Sequence, residues 1–292
     1  MGPKLSVDKD PSVTILQGGI RSNGHGDVRD ASEPILAVGD SFTFGTQVSD
    51  RDTWPAQLEK LSGRKVINGG VFGYGIDQAF LRARRLVSRD RFSTVIFSFI
   101  RDDIRRCQMS VEFGGAKPYF DFKDGRLTLE NVPVPPHPLR PKEGWLLIAL
   151  EHSRLVHSVM KRLFPKWWLM GQMPWETQVL DKKTGRKVAC ALLHQLEGLA
   201  ETRGFELIIL VQHTDGKTIY EGPADAMAVR SVLSCLSDPA TRVLDLQPVL
   251  SELKVKHPSR YKRLFNIHIT TEGNELVALE LSKILPGRAP GY

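Results

Sequence analysis

The chain runs Ile35-Leu36-Ala37-Val38 straight into Gly39-Asp40-Ser41-Phe42-Thr43-Phe44-Gly45. Four consecutive apolar residues closed by a glycine read as a strand covered on both faces, the kind that builds parallel sheets. A serine directly after such a strand is presented at the carboxyl edge of the sheet, and in open α/β sheets the ligand crevice lies there. Gly39 and Gly45 allow torsions that other residues resist. A serine hydroxyl is a weak nucleophile until a base sits within hydrogen-bond reach. Taken alone, the tripeptide reads better as a turn serine capping the next segment.

Outward from this stretch, similar apolar runs occur at 66–67, 95–100, 207–211 and 243–246, and all read as buried strands. Helical patterns separate them. Asp52 or Thr53 caps a helix that carries Pro55 in its first turn and stops at Gly63. Ile76, Ala79, Phe80, Ala83, Leu86 and Val87 form a stripe at helical spacing, as do Val188, Leu192, Leu196 and Leu199, and finally Val277, Leu281 and Ile284. Strands alternating with helices imply a five-stranded parallel sheet with helices on both faces and right-handed crossovers.

Residues 105–180 interrupt this order. They hold Pro118, the turn Lys123-Asp124-Gly125, the run Val132-Pro133-Val134-Pro135-Pro136-His137-Pro138, and Trp145, Trp167, Trp168 and Trp175. Proline at this density breaks regular structure, so an irregular insertion over the sheet is expected. Residues 1–11 read as a flexible tail, and 12–292 as a single domain without a second core. Aromatic faces stack on sugar rings, so the tryptophans suggest a carbohydrate groove, against the plainer reading that they pack the insertion.

Composition sets bounds. The 292 residues are 41% hydrophobic and 25% charged, which excludes wholesale disorder. No run approaches the roughly 18 apolar residues of a membrane span. The polar amino terminus lacks a signal-peptide core. The expected location is cytoplasmic for the chain as it stands, and periplasmic or cell-surface if a targeting segment lies outside it. Net charge is +7, but the basic residues are scattered, which favours a solvated surface over a nucleic-acid groove. Asp215-Gly216-Lys217-Thr218 lacks the earlier glycine of a phosphate loop. Cys107, Cys190 and Cys235 are far apart, which argues against a disulfide framework and a zinc site. No metal and no cofactor is expected.

Chemistry is sought after each strand. The second strand ends in Asn68-Gly69-Gly70-Val71-Phe72-Gly73-Tyr74-Gly75, where backbone N–H groups can approach a ligand oxygen, as an oxyanion hole requires. The third ends in Phe99-Ile100-Arg101-Asp102-Asp103-Ile104, an abrupt change from apolar to polar. Near the end, Phe265-Asn266-Ile267-His268-Ile269-Thr270-Thr271-Glu272-Gly273 places a histidine just before the last helix.

Together these four segments resemble the SGNH (GDSL) hydrolase superfamily. The likeness is strongest over 35–104 and 241–282 and weak through the insertion. Gly19-Ile20-Arg21-Ser22 and Lys117-Pro118-Tyr119-Phe120 also resemble a bacterial branch associated with modification of glycans and cell-surface polysaccharide. The resemblance implies a three-layer α/β/α, flavodoxin-like sandwich. It implies Ser41 as nucleophile, His268 as base, and the backbone N–H groups of Ser41 and Gly73 in the oxyanion hole. Two positions depart from the family. The oxyanion-hole asparagine is Asp102 here, and an ionised carboxylate repels an oxyanion unless it is protonated, turned away or paired with a cation. The aspartate expected before the histidine is Asn266, which can orient an imidazole but not stabilise its charged form. In serine proteases losing that charge costs roughly 10⁴ in turnover. Asp245, after the fifth strand, is a substitute carboxylate, against a structural role at a strand end.

The resulting expectation is a slow acyl or acetyl esterase acting on a glycan or small acyl ester through an acyl-enzyme. The alternatives are an O-acetyltransferase using the same Ser–His pair and a catalytically silent glycan-binding protein. The expected partner is a small-molecule or glycan ester, with no nucleic acid and no membrane span.

Overall fold

The computed structural model describes residues 11–24, 34–112, 115–135, 178–179, 184–215 and 223–285. The chain divides into two compact units, one formed by 1–107 with 185–292 and the other by 108–184. The expected tail, except Pro11, the four tryptophans of the insertion, and Gly216 to Thr218 lie outside the described residues.

In the larger unit β1 (Ile15–Leu16) and β2 (Ile20–Arg21) precede β3 (Ile35–Val38), α1 (Ser41–Phe44), α2 (Trp54–Ser62), β4 (Val66–Asn68), α3 (Ile76–Val87), β5 (Thr94–Phe99) and α4 (Arg101–Arg106). The smaller unit contains β6 (Met109–Glu112), β7 (Gly115–Ala116), β8 (Tyr119–Lys123), β9 (Arg126–Glu130) and β10 (Gln178–Val179). The chain then returns to the larger unit. There α5 (Thr184–Arg203, which begins at the boundary) leads to β11 (Glu206–Val211), α6 (Pro223–Leu233), β12 (Arg242–Asp245), α7 (Gln247–Lys256), α8 (Pro258–Arg263), β13 (Phe265–Asn266), β14 (His268–Ile269) and α9 (Thr271–Ile284).

The main sheet has the order β1-β2-β4-β3-β5-β11-β12. Its strands β4, β3, β5, β11 and β12 are parallel neighbours. In order of appearance they run 2-1-3-4-5, the flavodoxin-like doubly wound order. The α/β arrangement expected from strand–helix alternation is therefore the one observed. β1 and β2 add a short antiparallel edge that no apolar run announced.

Period-two alternation sorts the strand residues between faces. Ile35, Ala37, Ile96, Ile208 and Leu210 join Trp54 and Leu58 of α2, Leu250 of α7 and Leu276, Val277 and Leu281 of α9 in one buried cluster. Val38, of opposite parity, lies on the side of α3, which contacts β3 and β5. Thr53 caps α2 by accepting from the Ala56 N–H, Pro55 follows in the first turn, and Gly63 closes the helix at φ +64°.

Several expectations are corrected. β12 is an edge strand, and Val243 is 44% exposed rather than buried. The described part of the insertion is not irregular: β8 and β9 form a register-perfect hairpin turned by Asp124 (φ 51°) and Gly125 (φ 73°), and β10-β6-β7 form a second small sheet. Paired positive φ values at two central residues suit the right-handed twist of hairpin strands. Cys190 and Cys235, 45 residues apart, form a disulfide between α5 and the end of α6. Sequence spacing gave no sign of it, because the pairing depends on how two helices meet. Among the described residues no helix is long and apolar enough to cross a membrane.

Candidate active site

Ser41 opens α1, immediately past β3. Asp40 caps this short helix by accepting from the Phe42 N–H at 3.0 Å. The glycine-rich stretch after β4 folds directly against the serine turn. The Asn68 amide oxygen accepts from the Gly70 N–H at 3.1 Å, and the Val71 N–H donates to the Gly39 carbonyl at 3.0 Å. Gly70 is required here: a Cβ would stand 2.5 Å from the Phe44 nitrogen and 2.8 Å from the Thr43 carbonyl carbon. Gly73 turns the chain toward α3 at φ +76°, a conformation that favours glycine.

His268 reaches the same edge from the far end of the sequence. It sits on the hairpin β13–β14, where Phe265 pairs with Ile269 and Asn266 with His268. Ile267, at φ +66°, makes the turn. A β-branched residue at positive φ is a genuine outlier, and here it adjoins the imidazole. The Gln47 side-chain oxygen accepts from the His268 backbone N–H at 3.1 Å, and the ring packs against Phe42 with centroids 5.3 Å apart. These contacts bring His268 Nε2 to 3.0 Å from Ser41 Oγ, across 227 positions of sequence. The fold thus brings Ser41 and His268, both singled out in the sequence, within hydrogen-bond distance of each other.

The other expected residues are placed differently. Nδ1 of His268 is buried and meets no hydrogen-bond partner among the described residues. Asn266 is exposed, so it does not orient the imidazole as expected. Its side chain stands on the outside of a tight hairpin, and the one-residue turn at Ile267 holds it there. Asp245 is no substitute, because it holds a different histidine: His213 Nε2 lies 2.7 Å from its Oδ1.

Asp102 is committed to cations. Its oxygens lie 2.6 Å from Arg105 Nε and 3.3 Å from Arg106 Nη2. Burial alone would raise the Asp102 carboxyl, but the Arg105 hydrogen bond and the charges of Arg106, Arg105 and Arg101 outweigh it and hold it below the usual carboxylate value. An ionised carboxylate only accepts, so Asp102 does not take the donor part of the family's asparagine.

Sequence reasoning missed Arg106. Its Nη1 lies 2.6 Å from Asp103 Oδ1 and 3.6 Å from Asp40 Oδ2, and it donates to the Tyr74 carbonyl at 3.2 Å. The pattern Asp102-Asp103-Ile104-Arg105-Arg106 was a signal for it, since acidic and basic residues three and four apart meet on a helix. Burial raises the Asp40 carboxyl, and Arg106 opposes the shift. Asp103 is raised well above the usual value by burial and by the neighbouring Asp40 charge. Burial lowers His268, with a further contribution from the Arg106 charge. Both effects favour the neutral imidazole, the form that a general base needs.

Arg21 was also missed. It is buried beneath the serine turn, where its Nη1 donates to the Phe44 carbonyl at 2.6 Å and to that of Gly45. Nη2 donates to the Val48 carbonyl at 2.5 Å, and Nε meets Asp50 at 3.2 Å. One guanidinium thus satisfies carbonyls that the short helix α1 leaves without partners. Among the described residues no group of three or more His, Cys, Asp or Glu side chains is placed to hold a metal ion. A cleft of about 540 Å³ borders Phe205, Glu206, Thr241 and Arg242 at the amino ends of β11 and β12, the sheet edge opposite Ser41.

No protein-family model and no curated protein matches the chain. Several solved structures are similar to it. A protein from Desulfitobacterium hafniense DCB-2 assigned to the G-D-S-L lipolytic family shares 16% identity at a TM-score of 0.46, covering 87% of this chain and 100% of its own. The acetyl xylan esterase AlAXEase shares 12% at 0.47, covering 86% and 100%. A catalytic mutant of Axe2, an acetylxylan esterase from Geobacillus stearothermophilus, shares 12% at 0.44, covering 87% and 94%. At such identities the functional reading rests on the side chains of this chain.

Proposed function

We propose that the chain is a serine-dependent ester hydrolase of the SGNH type. The observation that carries this reading is the 3.0 Å approach of His268 Nε2 to Ser41 Oγ at the carboxyl edge of the sheet. Neutral His268 takes the proton as Ser41 Oγ attacks the ester carbonyl. The tetrahedral oxyanion is held by backbone N–H groups of Ser41 and Gly73, following the resemblance. Imidazolium then protonates the leaving alkoxide, which departs as alcohol and leaves the acyl group on Ser41. Water enters, His268 takes its proton, and the carboxylic acid is released with Ser41 restored.

With no carboxylate behind Nδ1 among the described residues, imidazolium gains no ion pair there and turnover is slow. A small acyl ester, on a glycan or another alcohol, is the substrate class this reading implies. Acyl transfer and silent glycan binding gain no specific support from the site. The Cys190–Cys235 disulfide favours an oxidising compartment over the cytoplasm.

Hydrolysis of p-nitrophenyl acetate, with mass-spectrometric detection of a fluorophosphonate adduct, tests the reading. The adduct is expected on Ser41, and Ser41→Ala is expected to lose both adduct and turnover. Turnover equal to that of the unmodified chain in Ser41→Ala removes Ser41 from the mechanism.

A further inference from the structure

Resting on the hydrolase reading, we propose that Arg106 is the positioning residue of this site: one guanidinium fastens the loops that follow the first three parallel strands and, through Asp40, whose Oδ2 lies 3.3 Å from Ser41 Oγ, holds the nucleophile in place against His268. The fastening is geometric. Arg106 lies within ion-pair distance of Asp40 beside the nucleophile, donates to the carbonyl of Tyr74 beside Gly73, and pairs with Asp102 and Asp103 on its own helix. Asp40, Tyr74 and Asp102 each neighbour a residue expected to take part in acyl transfer or stand at such a position themselves. Arg106 is itself largely buried, with 7% of its surface exposed, so water screens its charge weakly.

The charge then acts on His268. A nearby cation disfavours imidazolium, and burial acts in the same direction. Other charged groups stand on the elements that carry the site. On the nucleophile side stands Asp40. On α4 stand Arg101, Asp102, Asp103 and Arg105. On α8 and α9 stand Arg260, Arg263 and Glu272, with Glu272 bridged to both arginines at 3.4 Å and 2.8 Å. Of these, Asp40, Asp102 and Asp103 face Arg106, while Glu272 is occupied by its own arginines. Among the described residues no carboxylate stands behind Nδ1 to favour the imidazolium, and Arg106 disfavours it. The expected consequence is an acid limb displaced below that of an unperturbed histidine.

The test follows the rate of Ser41 phosphonylation against pH in the full chain and in Arg106→Lys, Arg106→Gln and Asp103→Asn/Arg106→Gln. The double variant removes a cation together with its closest buried carboxylate and guards against failure to fold. Arg106→Gln is expected to move the acid limb to higher pH, the double variant to move it less because the lost cation and the lost carboxylate offset each other, and Arg106→Lys, which keeps the charge, to leave it near its original position. A merely structural role would lower the rate without moving the limb. NMR titration of the His268 ring in the unmodified chain needs no variant, and it is expected to fall below the ordinary histidine value. A titration at or above that value overturns the proposal. So does labelling of Ser41 with the same acid limb in every folded variant. Absence of any Ser41 adduct in the unmodified chain overturns the hydrolase reading itself and is distinguished by that.

Discussion

Replacing Asn266 by aspartate should make this site faster. Asn266 and His268 are directly opposed across the β13–β14 hairpin, and opposed residues have Cβ atoms roughly 4.5–5.5 Å apart. An aspartate there sets a negative charge about 5 Å from the imidazolium that forms as Ser41 attacks. Coulomb's law gives that pair about 0.8 kcal/mol in a water-like medium and about 3 kcal/mol at an effective dielectric constant of about 20. Position 266 is exposed, so solvent screening keeps the gain at the lower end, about 0.5–1 kcal/mol. Since about 1.4 kcal/mol is tenfold in rate, kcat should rise roughly 2- to 5-fold. The sign in pH is fixed too. A carboxylate favours imidazolium, raises the His268 pKa and moves the acid limb to higher pH, so the gain is read on the plateau above it. Initial rates on p-nitrophenyl acetate across a pH series measure both effects. Asn266→Ala should leave kcat unchanged, because Nδ1 has no partner to lose. A folded Asn266→Asp chain that still labels at Ser41 but shows neither a faster plateau nor a shifted limb would refute the reasoning.

Three further outcomes are expected. Gly70→Ala drives a Cβ into backbone of the serine turn. Backbone cannot yield as a flexible side chain can, so kcat should fall about 100-fold, the scale of a 1 Å misplacement, with near-UV circular dichroism retained. Cys190→Ser opens a loop of 45 residues, for which chain entropy gives about 4 kcal/mol. At about 2–4 °C per kcal/mol, its Tm should drop by roughly 8–16 °C under non-reducing conditions, and dithiothreitol should lower the unmodified chain by the same amount. Arg21→Met takes the cation from Asp50, which keeps the Thr14 N–H, and takes the guanidinium donor from the Phe44 and Val48 carbonyls. Breaking a buried pair of this kind costs about 3–5 kcal/mol, measurable by urea unfolding, and Arg21→Lys should recover only part of it.

The parallel core was legible because burial on both faces demands apolar runs, and 35–38, 207–211 and, broken only by Ser98, 95–99 are such runs. β12 fitted the pattern less well: as an edge strand it needs only partial cover, and Val243 is left in solvent. The hairpin β8–β9 was announced only by Asp124-Gly125, because two-stranded ribbons bury too little to impose alternation on the rest. The edge strands β1 and β2, two residues each, carry no periodic signal at all.

At the site, position after a strand drew attention to Ser41, the glycine turn and Asp102, and only the resemblance to the SGNH superfamily joined them to His268 and gave each an expected role. Helix and turn preferences act over a few residues, and the chain itself carries them. Contacts between groups 227 positions apart depend on how the sheet twists and which helices meet. Only the tertiary structure therefore decided that His268 stands over Ser41 with Nδ1 bare, that Asp245 serves His213, that Arg106 gathers three loops, and that two remote cysteines join. Local order follows from the covalent chain, whereas the pairing of distant polar groups is fixed by packing, where burial leaves each charge only the partners that the fold brings to it.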